Sequence, residues 1–209
     1  MTDERQRLTS TRRVVVKIGS RSLAAGSQAA TRLSADIARL TRESRSVVVV
    51  SSGAIAIGCE RLGYRRRPKD VNKLQAAAAA GQSTLMRRWE EALAQHKLVA
   101  AQVLLTHGDL AERDRLNNAR EALGALLDAG AVPIINENDT VATDEIRFGD
   151  NDQLASMVTP LVGADLLVLM TDVEGVLDAK GRRISVMSEE AEIATIKSSG
   201  PGTGGMTSK

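Results

Sequence analysis

The sequence has 209 residues, 43% of them hydrophobic and 26% charged, with a formal net charge of +2. These values predict one substantial globular domain and give no indication of a polyanionic partner. One Phe, one Trp and one Tyr are too few aromatic side chains for a surface that stacks single-stranded nucleic acid. The single cysteine, Cys59, excludes an internal disulfide. With neither an apolar leader nor a membrane-spanning run, the sequence favours a cytoplasmic protein.

Short apolar runs predict β-strands along the chain. The four consecutive valines before Ser51 are typical of a strand buried on both faces of a parallel sheet. Pro133, near the start of a later run, fits a position at which a strand lacks a backbone donor. The strands are predicted at 12–18, 46–51, 99–105, 132–135 and 165–170.

Amphipathic helical patterns separate these strands. Ser34 is expected to cap the first helix, and Gly81, inside a long helix, indicates close packing or a kink. A polar segment, 107–115, is expected to precede the fourth helix. Strands that alternate with helices predict an α/β fold, a three-layer sandwich around a mainly parallel sheet. The helices are predicted from Ser34, over 54–62, over 71–96, from Leu116 to Gly130, over 151–162 and, more briefly, over 189–196.

The predicted strands end in polar residues. Each group alone has an explanation as a turn or a cap, but parallel strands present their carboxyl ends at one edge of a sheet, where ligands bind. Their coincidence favours a phosphate-handling enzyme over a structural protein. A serine replaces the acidic residue that a nicotinamide site uses, and no G-x-x-x-x-G-K-[ST] is present, which argues against a dehydrogenase and a P-loop enzyme. The groups are 17–20, 51–53, 136–139 and 171–172.

The stretch from Val132 to Asp152 has the highest density of fixed hydrogen-bonding groups. An apolar strand ends in amides and carboxylates, and a second polar cluster at 149–152 leads into a helix. Amides and carboxylates bind an ammonium group, while helix N-terminal N–H groups bind a carboxylate, so the stretch suits a small zwitterionic ligand. A turn-rich hairpin with helix caps explains it equally well.

Other polar segments also allow two interpretations. Lys17, beside a Gly-Ser pair, could contact phosphate or lie in solvent at a strand end. The glycine-rich segment 200–209 could wrap phosphates or form a flexible tail. The isolated basic loop 65–69 is interpreted as a solvated connector rather than a nucleic-acid site. His96 and His107 lack metal-ligand spacing, and no metal is assigned to them.

Six motifs in series resemble the amino-acid kinase family, and within it the glutamate 5-kinases. They are VVVKIGSRSL, VVVVSSGAIAIG, VPIINENDTVAT, FGDNDQLA, LLVLMTDVEGV and GTGGMTSK, in order from about Val14 to Lys209. The resemblance implies phosphorylation of the side-chain carboxylate of L-glutamate by ATP, giving L-glutamyl 5-phosphate in the first step of proline biosynthesis. It also implies Mg²⁺ carried by the nucleotide phosphates, feedback inhibition by proline, and a homo-oligomer.

The resemblance implies catalytic roles for four residues. Lys17 and Lys209 would stabilise the transferring phosphoryl group, and Asp152, together with Asp150, would orient these lysines. A glutamate carboxylate has a reference pKa of about 4.3, so it is ionised at neutral pH and needs no general base. Catalysis then consists of in-line positioning and charge neutralisation, which two lysines and Mg²⁺ supply.

Binding roles follow from the same resemblance. Ser52, Asp139 and Asn151 would hold glutamate. The residues expected to contact ATP are Lys17, Thr171, Asp172, Thr203, Gly204, Gly205, Met206, Thr207, Ser208 and Lys209.

Members of this family continue beyond the position that corresponds to Lys209. Residues 1–209 are therefore interpreted as an amino-acid kinase domain truncated at its C-terminus, with the rest of the kinase domain and any RNA-binding PUA domain absent, and no nucleic-acid partner is expected. Two alternatives stay open: another carboxylate or carbamate kinase of the same fold, and a remnant that binds glutamate or proline without turnover.

Overall fold

Parallel β-strands form the centre of the protein. The computed structural model describes residues 6–20, 23, 28–142, 151–171, 175–177 and 182–186. The strands pair in parallel, in the order third, fourth, second, first, fifth. All five predicted strands are confirmed, each within two residues of its predicted bounds. They are β1 (Arg13–Ile18), β2 (Ser46–Ser51), β3 (Ala100–Leu105), β4 (Val132–Glu137) and β5 (Leu166–Met170).

Helices connect the strands and cover both faces of the sheet. In the part of the chain that the structure describes, no helix is long and apolar enough to cross a membrane. The predicted helix at 189–196 lies outside the described residues. The helices are α1 (Gln28–Arg42), α2 (Ala54–Arg61), α3 (Val71–Ala94), α4 (His107–Ala111), α5 (Arg113–Asp128) and α6 (Asn151–Leu161).

Two helical regions begin earlier than the sequence predicts. The prediction that Ser34 caps a helix is wrong, because Ser34 is buried inside α1 and its hydroxyl donates to the Thr31 carbonyl oxygen at 2.8 Å. A serine within a helix can satisfy its hydroxyl in this way on the preceding turn. The polar segment 107–115 is itself largely helical, because Thr106 caps α4 and the Glu112 carboxylate caps α5.

Successive side chains of each strand alternate between two buried faces. In β2, Val47 and Val49 pack towards α1, α2 and α3, which we call the α1–α3 face. Val48 and Val50 pack towards α4, α5 and α6, the α4–α6 face. Both faces of this strand are therefore covered, as its run of valines predicts, and the fold is a three-layer α/β sandwich.

Helices α2 and α3 cross at two glycines that leave no room for a side chain. A Cβ atom on Gly81 would lie 1.8 Å from the carbonyl oxygen of Ala54, and one on Gly58 would lie 1.6 Å from that of Ala77. Both distances are far below van der Waals contact, so this crossing requires glycine at both positions. The close packing predicted for Gly81 is confirmed. The residue after it, Gln82, consequently reaches the carboxyl edge of the sheet.

Candidate active site

Strand alternation directs Lys17 to the first residues of α6. Val15 of β1 belongs to the α4–α6 face, so Lys17, two residues later, points to the same side. Its Nζ lies 2.6 Å from Asp152 Oδ1, and the two side chains are only 12% and 5% exposed. Gly19 lies beside this ammonium, and a Cβ there would be in ordinary contact with it at 3.9 Å. Lys17 and Asp152 are thus in direct contact.

Asn151 connects three parts of the edge through its side-chain amide. Asn151 Nδ2 lies 2.8 Å from Ser52 Oγ, 3.0 Å from Asn136 Oδ1 and 3.3 Å from the Ser51 carbonyl oxygen. Ser52 is itself fixed by its backbone N–H, which donates to the Ile18 carbonyl oxygen at 3.1 Å. Two of the three predicted glutamate-binding residues, Ser52 and Asn151, are therefore in direct contact.

The end of β4 and the turn that follows it bury a pair of carboxylates. Asp139 is 9% exposed and Glu137 is 4% exposed. Burial, followed by repulsion from Glu137, raises the pKa of Asp139 to about 7, although the positive charge of Arg67 acts in the opposite direction. His107 Nδ1 lies 3.3 Å from Glu137 Oε1. The surroundings of Asp139 therefore disfavour its ionised form, and a further positive charge beside it would favour that form.

Polar residues at the ends of other strands lie along the same edge. Thr171 directly follows Met170, whose partner in β1 is Ile18, so β5 ends beside the loop after Lys17. Thr171 is exposed. The other predicted site residues lie outside the described residues: Asp150, Asp172, Thr203, Gly204, Gly205, Met206, Thr207, Ser208 and Lys209.

The structure adds two residues that the sequence analysis did not assign to the site. Gln82 Oε1 accepts a hydrogen bond of 2.9 Å from Asn136 Nδ2, and Arg67, interpreted as part of a solvated connector, acts electrostatically on Asp139. Gln82 could have been noticed, because it follows Ala78 by one helical turn and so interrupts the apolar stripe of α3 with an amide. The position of Arg67 depends on tertiary packing, and no local pattern reveals it.

Trp89 is a core residue that also supports the edge. It is fully buried, and its Nε1 donates to Ser51 Oγ at 2.9 Å. A buried indole N–H requires such a partner. This bond fixes the end of β2 one residue before Ser52.

The described side chains combine a lysine with carboxylates, amides and hydroxyls. Within the described ranges, no group of three or more His, Cys, Asp or Glu side chains could hold a metal ion. A lysine held by an aspartate can neutralise charge that develops on a phosphoryl group, whereas amide and carboxylate oxygens can bind an ammonium. The edge therefore suits a reaction between a phosphate donor and a small zwitterion.

Comparison with known proteins identifies a matching family and several similar proteins. A family model described as the amino acid kinase family matches residues 12–209. The chain is 47% identical to a glutamate 5-kinase of Nitrosococcus oceani, over 100% of the chain and 60% of that protein. It is 48% identical to one of Myxococcus xanthus over 98% of the chain and 58% of that protein. A third, from Methylobacillus flagellatus, is 57% identical over 70% of the chain and 40% of that protein.

The chain is shorter than the relatives that it matches. The chain spans 60% or less of each of the three. The family match, in contrast, includes nearly all of the chain, from residue 12 to residue 209, and every described element of the sheet from β1 to β5 falls within it. The chain therefore belongs to the amino acid kinase family.

Proposed function

We propose that this protein phosphorylates the side-chain carboxylate of L-glutamate with ATP and so forms L-glutamyl 5-phosphate. One observation supports this proposal above all others. Asn151 and Asp152 are consecutive at the start of α6, and the first binds Ser52 and Asn136 while the second holds Lys17. A single helix terminus thus fixes the distance between an amino-acid pocket and a phosphoryl-stabilising cation, which is the positioning that phosphoryl transfer requires.

On the acceptor side, Ser52, Asp139 and Asn151 hold glutamate in this proposal. The substrate ammonium supplies the positive charge that the buried Asp139 carboxylate favours, since burial and Glu137 together raise the pKa of that group. Binding glutamate and ionising Asp139 therefore promote one another. The reacting carboxylate is an anion at neutral pH and attacks phosphorus without a general base.

On the donor side, Lys17 neutralises charge on the transferring phosphoryl group while Asp152 holds its ammonium in place. Lys209 is the second such cation, with Asp150 as a further orienting group. Mg²⁺ bound to the nucleotide phosphates adds positive charge that the protein side chains do not supply. Thr171, Asp172 and the loop Thr203–Lys209 contact ATP. We also propose a cytoplasmic location, a homo-oligomer, inhibition by proline, and that residues 1–209 form part of one kinase domain.

Trapping of the acyl phosphate with hydroxylamine tests the proposed reaction. Purified protein is incubated with MgATP and L-glutamate, N-acetylglutamate, aspartate or carbamate, and hydroxamate and ADP are measured. We expect hydroxamate with L-glutamate, and a loss of about 100-fold or more in kcat for Lys17→Ala, because it removes a group that stabilises the transition state.

Lys97→Asn is the matched control for this experiment. Lys97 is an exposed lysine at the opposite, amino edge of the sheet, and its φ of 62° is a conformation that asparagine tolerates. This variant also removes one positive charge but should keep its activity. Hydroxamate formation by Lys17→Ala at the wild-type rate, or a preference for another acceptor, would contradict the proposal. Binding of glutamate without ADP formation would instead indicate a non-catalytic binding protein.

A further inference from the structure

We propose that Gln82 is a positioning residue for the amino-acid substrate, acting through Asn136 and Asn151. This inference rests on the proposed function, because it assigns Asn151 to the glutamate pocket. Gln82 lies on α3, directly after the crossing at Gly81, and its Oε1 is 2.9 Å from Asn136 Nδ2. It has no partner other than Asn136 among the described residues, so its known hydrogen bonding is directed entirely at the edge of the sheet.

The three amides form a chain with a fixed direction. It begins at the Ser51 carbonyl oxygen, which can only accept a hydrogen bond and therefore faces Asn151 Nδ2. The same nitrogen faces Asn136, so Asn136 presents Oδ1 to Asn151 and Nδ2 to Gln82. Gln82 must then present Oε1. The Ser51 carbonyl oxygen at one end of the chain and Gln82 at the other thus favour the same orientation of Asn136.

The direction of the chain matters for the substrate because it determines which atom of the Asn151 amide hydrogen-bonds within the protein and which one is available to a ligand. Three acceptors face Asn151 Nδ2 and share its two hydrogens: Ser52 Oγ, Asn136 Oδ1 and, at the longest distance, the Ser51 carbonyl oxygen. This leaves Asn151 Oδ1 as the atom available to a ligand. An oxygen acceptor binds an ammonium and rejects a carboxylate. If Asn136 turned over, two N–H₂ groups would face each other, and Asn151 would lose its alignment.

Gln82 stabilises the correct orientation of Asn136 by accepting from its Nδ2. Asn136 is 3% exposed, so without Gln82 this N–H₂ group would be buried and unsatisfied, a situation that favours rotation of the amide. At the far end of the chain, Gln82 Nε2 is buried and has no hydrogen-bond partner in the described part of the structure. Gln82 therefore accepts a hydrogen bond from Asn136 while its own N–H₂ group stays unpaired. This arrangement aligns the Asn136 amide but contributes little to the stability of the fold.

The unpaired donor gives the test a readout that separates positioning from a structural role. The Gln82→Met substitution keeps the length of the side chain but removes its amide. The unpaired N–H₂ group of Gln82 is lost, and the N–H₂ group of Asn136 becomes unpaired in its place. We expect the Tm to change by less than about 4 °C. The KM for L-glutamate should rise by about 10-fold, with kcat and the KM for ATP changed by less than about 3-fold, since only substrate alignment is lost. Gln95→Met, an exposed glutamine after the end of α3, is the control and should leave all three constants unchanged.

A double-mutant cycle tests whether the effect passes through Asn136. The KM for glutamate should rise in Asn136→Leu, and adding Gln82→Met to that variant should raise it no further, because the two residues act in series. Additive effects would overturn the proposal, as would an unchanged KM in Gln82→Met.

A measurement without substrate keeps this inference distinguishable from the proposed function. In ¹H–¹⁵N spectra of the free protein, Gln82→Met should shift the side-chain amide signals of both Asn136 and Asn151, while Gln95→Met should shift neither. If the Asn151 signal does not shift, the proposed coupling of Gln82 to Asn151 is contradicted, even if the protein is a glutamate kinase. If the wild type neither binds nor phosphorylates glutamate, the substrate assignment of Gln82 falls together with the proposed function.

Discussion

The two parts of the candidate site are held together by different forces. Around Asn151, neutral amides and hydroxyls are joined in a directed chain that ends on α3. Around Asp152, the connection is an ion pair with Lys17, and after the end of β4 Asp139 is a carboxylate whose burial opposes its charge. The first part depends on alignment, because a hydrogen bond fails when its geometry fails. The second depends on charge balance in a site with little water.

This difference predicts that the two parts fail under different changes. Displacing α3 should disrupt the amide chain while leaving the ion pair formed, whereas a change of charge or pH should affect the carboxylates and the lysine first. The four predictions that follow test this contrast, from the largest expected effect to the smallest.

Gly81→Ala should have the largest effect, because a Cβ at this position would lie 1.8 Å from the carbonyl oxygen of Ala54. The two helices would have to separate, and overpacking of this severity costs about 3 kcal/mol or more. Gly124→Ala makes the same replacement inside α5, where nothing lies within 4 Å of the new atom, and should stabilise the protein by about 0.5–1 kcal/mol. Urea unfolding measures both, and a similar outcome for the two variants would refute the tight crossing.

Lys17→Met should lower the free energy of unfolding by about 3 kcal/mol, because it removes the cation beside a buried Asp152. Adding Asp152→Asn should restore most of that stability but none of the activity. The exposed pair of Arg39 and Glu43 on α1 is the control, and Arg39→Met should cost less than about 1 kcal/mol. Chemical denaturation of all four proteins provides the comparison. If the double variant were as unstable as Lys17→Met, the ion pair would not be the cause.

Asp139 should make stability depend on pH in a defined direction. Its pKa is raised in the folded state to about 7 from 3.8, so its contribution is fully present below 3.8 and is lost as pH rises to about 7. Relative to wild type, Asp139→Asn should therefore gain stability with a slope of up to about 1.4 kcal/mol per pH unit across this window.

Glu137→Gln tests the cause of the Asp139 shift. Removing the Glu137 charge should lower the pKa of Asp139 in the folded state and so narrow this window from its upper end, since repulsion from Glu137 is the second cause of the shift. Thermal unfolding from pH 4 to pH 8 measures the effect. A difference between wild type and Asp139→Asn that is independent of pH would rule out a buried, titrating carboxyl.

Ser51→Ala and Ser52→Ala should give the smallest and most selective effects. Ser51 Oγ accepts from Trp89 Nε1 at 2.9 Å, and losing it leaves a buried indole N–H unpaired at a cost of about 1–2 kcal/mol. Ser52 Oγ instead accepts from Asn151, so Ser52→Ala should raise the KM for glutamate with a smaller change in stability. Thermal unfolding and glutamate kinetics of both variants would distinguish the role of Ser51 in stability from the role of Ser52 in substrate binding. Equal losses of stability would show that both serve the core.

The sequence was most informative about features that depend on residues close together in the chain. The burial of the β2 valines and the clustering of polar strand ends at one edge follow from strand periodicity and the geometry of a parallel sheet. The contact of Lys17 with Asp152 was expected only from the resemblance to the amino-acid kinase family. The Ser34 cap was predicted wrongly, because the same residue type also suits the inside of a helix when its hydroxyl finds a carbonyl.

The amide chain could not be derived from sequence. Gln82 and Asn136 are 54 residues apart, and their contact depends on how closely two helices cross. Gly81 indicated that another element packs closely against α3, but not which element. The pKa of Asp139 is equally non-local, since burial and the positions of Glu137 and Arg67 arise only in the folded chain.

The hydrogen bond between Trp89 and Ser51 turns the only tryptophan of the sequence into an optical reporter. The indole is fully buried and is linked to β2 one residue before Ser52, so its emission wavelength and intensity depend on the state of that strand end. Glutamate binding at Ser52 should therefore change the intrinsic fluorescence without any added label. Binding and unfolding could then be followed from the same native chromophore.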